Sequence, residues 1–323
     1  MGERIVVAAY ALGWRLVRMM PARPAYLLFS LLAQFAWLRQ GSGVRQLERN
    51  LARIVPNASP MRLKILSRKG MHSYLRYWCD AFRLPDWTPE YILATCRAEG
   101  DEPVRAALAE GRGVVMALSH SGNWDHAGAW SNLALARVTT VAERLRPEEL
   151  FQRFLLFRQQ LGMEILPLTG GGDVFGTLVR RLRKGGFVPL LADRDLTATG
   201  VPVRMFGEPA RMATGPASLA LVTGAALFPV SIHYERLPST APARWGTVVR
   251  FHPEVPVTED GDRGERISRM TQACADALAG GIADHPQDWH MLQRVFVADW
   301  VEILGDPPVA DPVDNRGRPR PGR

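Results

Sequence analysis

The sequence predicts an α/β protein: a mixed, largely parallel central sheet flanked by helices on both sides, with amphipathic N-terminal helices in front. Three observations lead there. From about residue 100 onward, helical and extended patterns alternate along the chain. The runs "GVVMAL" and "GFVPLLAD" are apolar throughout, as strands covered on both faces must be. The chain has 323 residues, 47% of them hydrophobic, which is enough for a substantial core and excludes a disordered protein.

The elements follow in order. "RIVVAAYALGWRLVRMM" and "PAYLLFSLLAQFAWL" are apolar but broken by Arg15, Arg18 and Arg23. The longest uncharged run, Pro24 to Leu38, is about fifteen residues, short of the roughly 20 needed to cross a bilayer. With Trp14, Tyr26 and Trp37 among the arginines, residues 1–40 read as helices lying in a membrane interface, and ordinary buried packing is the competing reading. "VRQLERNLARI" places Val44, Leu47, Leu51 and Ile54 on one helical face and Arg45, Arg49 and Arg53 on another, a stripe suited to water or anionic lipid. A longer helix starts after Ser59 as N-cap, with Pro60 in its first turn.

Beyond residue 100, helices are expected at "DEPVRAALAEG", "DHAGAWSNLALA", "PEELFQRFLLFRQQLG", "DVFGTLVRRLRKG", "ATGPASLALVTG" and "RISRMTQACADALAGGI". Strands are expected at "GVVMAL", "VTTVA", "MEILPL", "GFVPLLAD", "ALFPVSIHYE" and "GTVVRFHPEV". "HPQDWHMLQRVF" closes the fold, and the Pro-rich, basic residues 305–323 read as a disordered tail.

The net charge of +8 suits nucleic acid, anionic headgroups or a phosphate-bearing substrate. Nucleic acid is set aside, because no helix-turn-helix, RNP or zinc-finger signature is present. Cys79, Cys96 and Cys274 are scattered and odd in number, which argues against a disulfide framework and for a reducing compartment. No G-x-S-x-G elbow and no paired histidines of a metal motif occur, so neither a covalent nucleophile nor a metal is expected.

The polar stretch "SHSGNWD" directly after "GVVMAL" is where chemistry concentrates. Ligands of open α/β sheets bind beyond the carboxyl ends of the strands. Ser121 and Gly122 permit a tight turn that can aim His120 into that crevice, and Asp125, five positions on, can return to one ring nitrogen. A carboxylate there fixes the tautomer and stabilises the imidazolium, giving a general base for an alcohol. The bland alternative makes Asp125 a helix cap and His120 a satisfied polar residue.

"HSGNWDHAGAW" resembles the catalytic block of the His-x4-Asp acyltransferases that esterify lipid hydroxyls. More narrowly, the chain is similar to the lipid A lauroyl/myristoyl acyltransferase family, and most of all to its actinobacterial branch, the phosphatidylinositol mannoside acyltransferases. The likeness continues through "RNLARI", "VAERL", "FRQQLGMEILPL", "LLADRDLTATGVPVRMFGEPARMATGPASLALVTGAALFPV" and "HPQDWHMLQRVF" in the family's order.

The resemblance implies a glycerolipid-acyltransferase-like domain over residues 41–304. It implies peripheral or monotopic docking, through anionic lipids, on the cytoplasmic face of the inner membrane. Long-chain acyl-CoA, or an acyl carrier protein, is the implied donor; no resident cofactor is expected. A glycolipid hydroxyl is the acceptor, on a mannoside or on a lipid A-type glucosamine lipid, and the enzyme is expected to be a monomer. By the same resemblance His120 is the base and Asp125 its orienting partner. Asp193 in "ADRD" and Glu143 in "VAERL" support the histidine or hold polyol groups. Ser121, Asn123, Trp124, Arg158, Arg194 and Asp195 complete the expected substrate contacts. The class left open against all this is a non-catalytic, membrane-docked lipid-binding protein.

Overall fold

The computed structural model describes residues 12–143, 148–168, 172–195, 200–257 and 259–300. The expected tail at 305–323, the first eleven residues of the interface region, and Gly170 and Gly171 lie outside the described residues. The N-terminal part is helical: α1 (residues 12–19), α2 (Ala22–Leu38), α3 (Ser42–Ile54), α4 (Pro60–Arg83) and α5 (Pro89–Thr95). Strands and helices then alternate through β1 (Cys96–Glu99), α6 (Glu102–Ala109), β2 (Val114–Leu118), α7 (Trp124–Ala134), β3 (Thr139–Ala142), α8 (Glu148–Gln160) and β4 (Glu164–Pro167). They continue with α9 (Val174–Leu182), β5 (Phe187–Leu191), β6 (Val201–Met205), β7 (Glu208–Met212), α10 (Gly215–Thr223), β8 (Ala226–Arg236), β9 (Trp245–Phe251) and α11 (Arg263–Asp284).

The main sheet has the order β1-β9-β8-β2-β5, and every neighbouring pair is parallel except β8–β9. β2 shows why a run apolar at every position folds here. Val114, Met116 and Leu118 point to one face, where Ile92 of α5 and Ala127 and Trp130 of α7 cover them. Val115 and Ala117 point to the other, against Leu219 of α10 and Leu278 of α11. Both faces are buried, as the sequence predicts for a covered parallel strand.

Three features differ from the sequence reading. β1 and α5 are present although neither was expected. β3 and β4 form a separate parallel pair, joined to the main sheet through a single bridge between Val138 and Phe187. "VPVRMFGEPARM" folds into the β6–β7 hairpin, whose two turn residues, Phe206 (φ 52°) and Gly207 (φ 80°), both have positive φ. A two-residue hairpin needs that geometry, and a phenylalanine in the first place of the turn hides the usual Asn-Gly or Asp-Gly signal.

Among the described residues, no helix is long and apolar enough to cross a membrane. α2 packs on α4 through Ala25, Phe29 and Ala33, while Leu27, Leu31, Phe35 and Leu38 stay more than half exposed. α1 is anchored by Trp14, whose Nε1 donates to the Phe82 carbonyl at 3.0 Å.

The basic stripe expected on α3 is not wholly free. Arg53 reaches Asp299 at 2.7 Å and Glu208 at 2.8 Å. Beside it, the fully buried Asn50 donates to the carbonyls of Met291 (2.8 Å) and Gln293 (2.9 Å) and accepts from Gln46 Nε2 at 3.0 Å. These bonds clamp the chain after α11 onto the N-terminal helices. Asn50→Ala removes both bonds, one of them to the carbonyl of the buried Met291, and should cost about 1–3 kcal/mol of stability. A urea melt with a lower midpoint and unchanged slope checks this; a midpoint equal to wild type would show that the segment is held by other contacts.

Candidate active site

His120 and Asp193 meet because of strand register. β2 and β5 are parallel neighbours with Leu118 opposite Leu191, so the residues two places beyond each strand, His120 and Asp193, emerge side by side. His120 Nδ1 lies 2.5 Å from Asp193 Oδ1, and the His120 backbone N–H donates to Oδ2 at 2.9 Å. Asp193 is fully buried. Burial pushes its carboxyl up, but the His120 charge and the bonds from the His120 ring, the Trp289 indole and the His120 backbone outweigh it and hold the group below the ordinary carboxylate range. A carboxylate on Nδ1 fixes the proton there and leaves Nε2 as the acceptor.

The turn that carries His120 is built by its neighbours. Gly122 has φ 58°, and a Cβ at this position would come within 2.8 Å of the Ile232 backbone, so only glycine fits. Asn123 caps α7, its side chain accepting from the His126 N–H at 2.9 Å. From behind, Asp288, Trp289 and His290 form a strap. Gly122 N–H donates to the Asp288 carbonyl (2.8 Å), His290 N–H to the His120 carbonyl (2.8 Å), and Trp289 Nε1 to Asp193 Oδ2 (2.8 Å). Asp288 in turn accepts from Ser73 Oγ at 2.6 Å, which leaves that oxygen to accept from His290 Nε2 at 2.9 Å. Burial, with the nearby Arg76 and His120 charges, pushes His290 down to about 3, so its ring is neutral.

The expectation that Asp125 orients His120 is corrected. Asp125 is buried and bound bidentately by Arg158 (Nε–Oδ1 2.7 Å) and by the Tyr77 hydroxyl at 2.9 Å. Burial opposes charge on Arg158, but Asp125 and Tyr77 outweigh it and keep the guanidinium charged. The motif's aspartate sits on the first turn of α7, where its side chain meets α4 and α8, and the carboxylate on the histidine comes from the neighbouring strand.

His120 opens on a cavity of about 900 Å³. Of the expected residues, Trp124, Asp125, Glu143, Arg158 and Arg194 also line it. The Trp124 ring meets His120 edge-on at 5.6 Å, and Arg194 lies 3.6 Å from Glu143. Apolar side chains, among them Met116, Val141, Met163, Phe175, Leu178 and Leu219, make up much of the remaining wall. Ser121, Asn123 and Asp195 are not in the wall, contrary to expectation. Ser121 Oγ pairs with Ser119 Oγ at 2.9 Å, the Asn123 amide is used by the cap and by Asp80, and Asp195 takes Arg211 and the Gly200 N–H. Tyr77, Asp80, Trp289 and His290 were not foreseen. Asp80 accepts from Tyr26 (2.5 Å), Tyr234 and Asn123 (both 3.1 Å); burial pushes it up to about 6 against those donors and Arg76. The signal that could have found Trp289 and His290 was "HPQDWH" itself, polar and aromatic in a place with no helical or strand period.

Two roles for Asp125 separate by experiment. Asp125→Ala leaves a buried guanidinium unpaired and should destabilise the fold by about 3–5 kcal/mol, most of which the added change Arg158→Met recovers. If Asp125 steered the histidine instead, the double variant would keep its stability but shift the pH titration of the His120 ring, followed by NMR.

The sequence profile of a family described as bacterial lipid A biosynthesis acyltransferase matches residues 2–297. A phosphatidylinositol mannoside acyltransferase of Mycolicibacterium smegmatis is 44% identical over 300 residues, 93% of this chain and 94% of that protein. One of Mycobacterium tuberculosis, strain CDC 1551, is 45% identical over 300 residues, 91% of this chain and 89% of that protein. With a match spanning nearly all of its length, the chain belongs to the bacterial lipid A biosynthesis acyltransferase family.

Proposed function

We propose that the protein moves a long-chain acyl group from acyl-CoA to a mannose hydroxyl of a phosphatidylinositol mannoside, by general-base catalysis without a covalent enzyme intermediate. One observation carries the reading: an imidazole held by a buried carboxylate opens on a cavity whose wall is largely apolar. The relatives' names supply the acceptor class. His120 Nε2 takes the proton of the acceptor hydroxyl as its oxygen attacks the thioester carbonyl. The tetrahedral intermediate collapses, the carbon–sulfur bond breaks, and the thiolate of CoA leaves with the proton returned from His120. Asp193 stabilises the imidazolium between these steps. Arg194 and Glu143, with Arg158 behind, offer donors and an acceptor for neighbouring sugar hydroxyls. The apolar wall suits an acyl chain.

Both substrates are amphiphiles, and the N-terminal helices suit delivery from a membrane surface. Leu12, Leu16 and Met19 on α1 are more than half exposed, as are Leu27, Leu31, Phe35 and Leu38 on α2, with Arg15, Arg23 and Arg39 exposed beside them. This pattern supports helices lying in the headgroup region of an anionic membrane, the cytoplasmic leaflet in our reading.

Labelled palmitoyl-CoA incubated with phosphatidylinositol mannoside should give a product heavier by one palmitoyl group. His120→Ala should slow its formation about 10²–10⁴-fold with the fold retained by circular dichroism. Near-normal turnover in that variant would reject the mechanism. Transfer only to a lipid A precursor would reject the acceptor, and no thioester turnover with any acceptor or with water would leave a lipid-binding protein. Separately, Leu31→Glu with Phe35→Glu should weaken co-sedimentation with anionic vesicles and leave folding intact; unchanged binding would move the membrane contact off α2.

A further inference from the structure

We infer that Trp289 is a positioning residue that sets the basicity of His120 through Asp193. The indole is fully buried in the core beneath the sheet, does not line the cavity, and donates Nε1–H to Asp193 Oδ2 at 2.8 Å. The three donors on Asp193 divide its two oxygens: the His120 ring takes Oδ1, while the His120 backbone and Trp289 share Oδ2. An acceptor shared among donors binds each less strongly, so the indole limits how hard Asp193 holds the Nδ1 proton. It also keeps a fully desolvated carboxylate ionised. An indole N–H suits this task better than a hydroxyl or an ammonium, because it neither accepts nor loses a proton in the working range.

The same segment fixes the geometry. Trp289 pairs with Ser121 in an antiparallel bridge, and its neighbour His290 donates to the His120 carbonyl. Base, carboxylate and donor are therefore locked to one another through backbone as well as side chain. The remaining charged groups around His120 are matched elsewhere. Asp125 pairs with Arg158 from α7 and α8, and Arg194 faces Glu143 after β5 and β3. From the strap, Asp288 is held by Ser73 and by the Tyr234 N–H, and His290 is neutral. Arg76 of α4 lies over the Tyr234 and Trp245 rings. None of these groups touches Asp193, so removing the indole N–H changes one donor alone.

The inference rests on His120 acting as the base, and its test is arranged to fail separately. Trp289→Phe keeps an aromatic ring and removes the donor. Asp193 then becomes the more basic acceptor, the imidazolium is favoured, and the acid limb of kcat/KM should move to higher pH by about one unit. A role in packing alone would lower the melting temperature and leave the limb where it was, which would overturn the inference. The wild-type protein gives a second reading that needs no variant to fold. With neither acyl-CoA nor glycolipid present, the indole ¹H–¹⁵N resonance of Trp289 should shift with pH in step with the His120 ring. An indole resonance flat across that transition overturns the inference whatever the acyl substrates are, whereas turnover surviving in His120→Ala would remove the base and leave the indole titration standing.

Discussion

The parallel register of β2 against β5 is the constraint on which the site depends. With Leu118 opposite Leu191, the two strands end level, and the side chains two places beyond them, His120 and Asp193, face each other at 2.5 Å. A slip of one residue would turn Asp193 to the opposite face of the sheet and leave the histidine without a carboxylate. The slip is prevented by packing: both faces of β2 and β5 are buried, so any shift would exchange side chains between two filled layers. Core and chemistry are thus fixed by the same contacts.

Two buried carboxylates near His120 have opposite employments, decided by what they face. Asp193 faces an imidazole, an indole and a backbone N–H, all neutral or conditionally charged, so its charge is available to the ring. Asp125 faces a permanent guanidinium and a tyrosine hydroxyl, and its charge is fully used in tying α7 to α4 and α8. Exchanging the partners would exchange the roles. The strap after α11 links the two regions: it is clamped on α3 by Asn50, and it reaches the turn that carries His120 through Asp288, Trp289 and His290.

Much of this was legible in the chain. "GVVMAL" followed by "SHSGNWD" was enough to place a histidine beyond a buried strand, where ligands of open α/β sheets bind, although most of the other polar residues in that stretch serve the turn and the start of α7 instead. Ser59 and Pro60 marked the start of α4, where the Ser59 side chain accepts from the Arg62 N–H as a cap. The arginines of α3 were misread in part: helical spacing shows which side chains share a face but not that Asp299, far along the chain, lies opposite Arg53.

The sequence by itself determined the alternation of covered strands and helices, the glycine turn after β2 and His120 as its focal residue, since each follows from short-range periodicity and local sterics. Only the tertiary structure decided which carboxylate serves that histidine. Asp125 is five residues away along the chain yet is drawn off by Arg158, while Asp193, 73 residues away, arrives by strand pairing. Local spacing limits where a side chain can reach, but the partner it keeps is set by charges and registers that distant segments bring together.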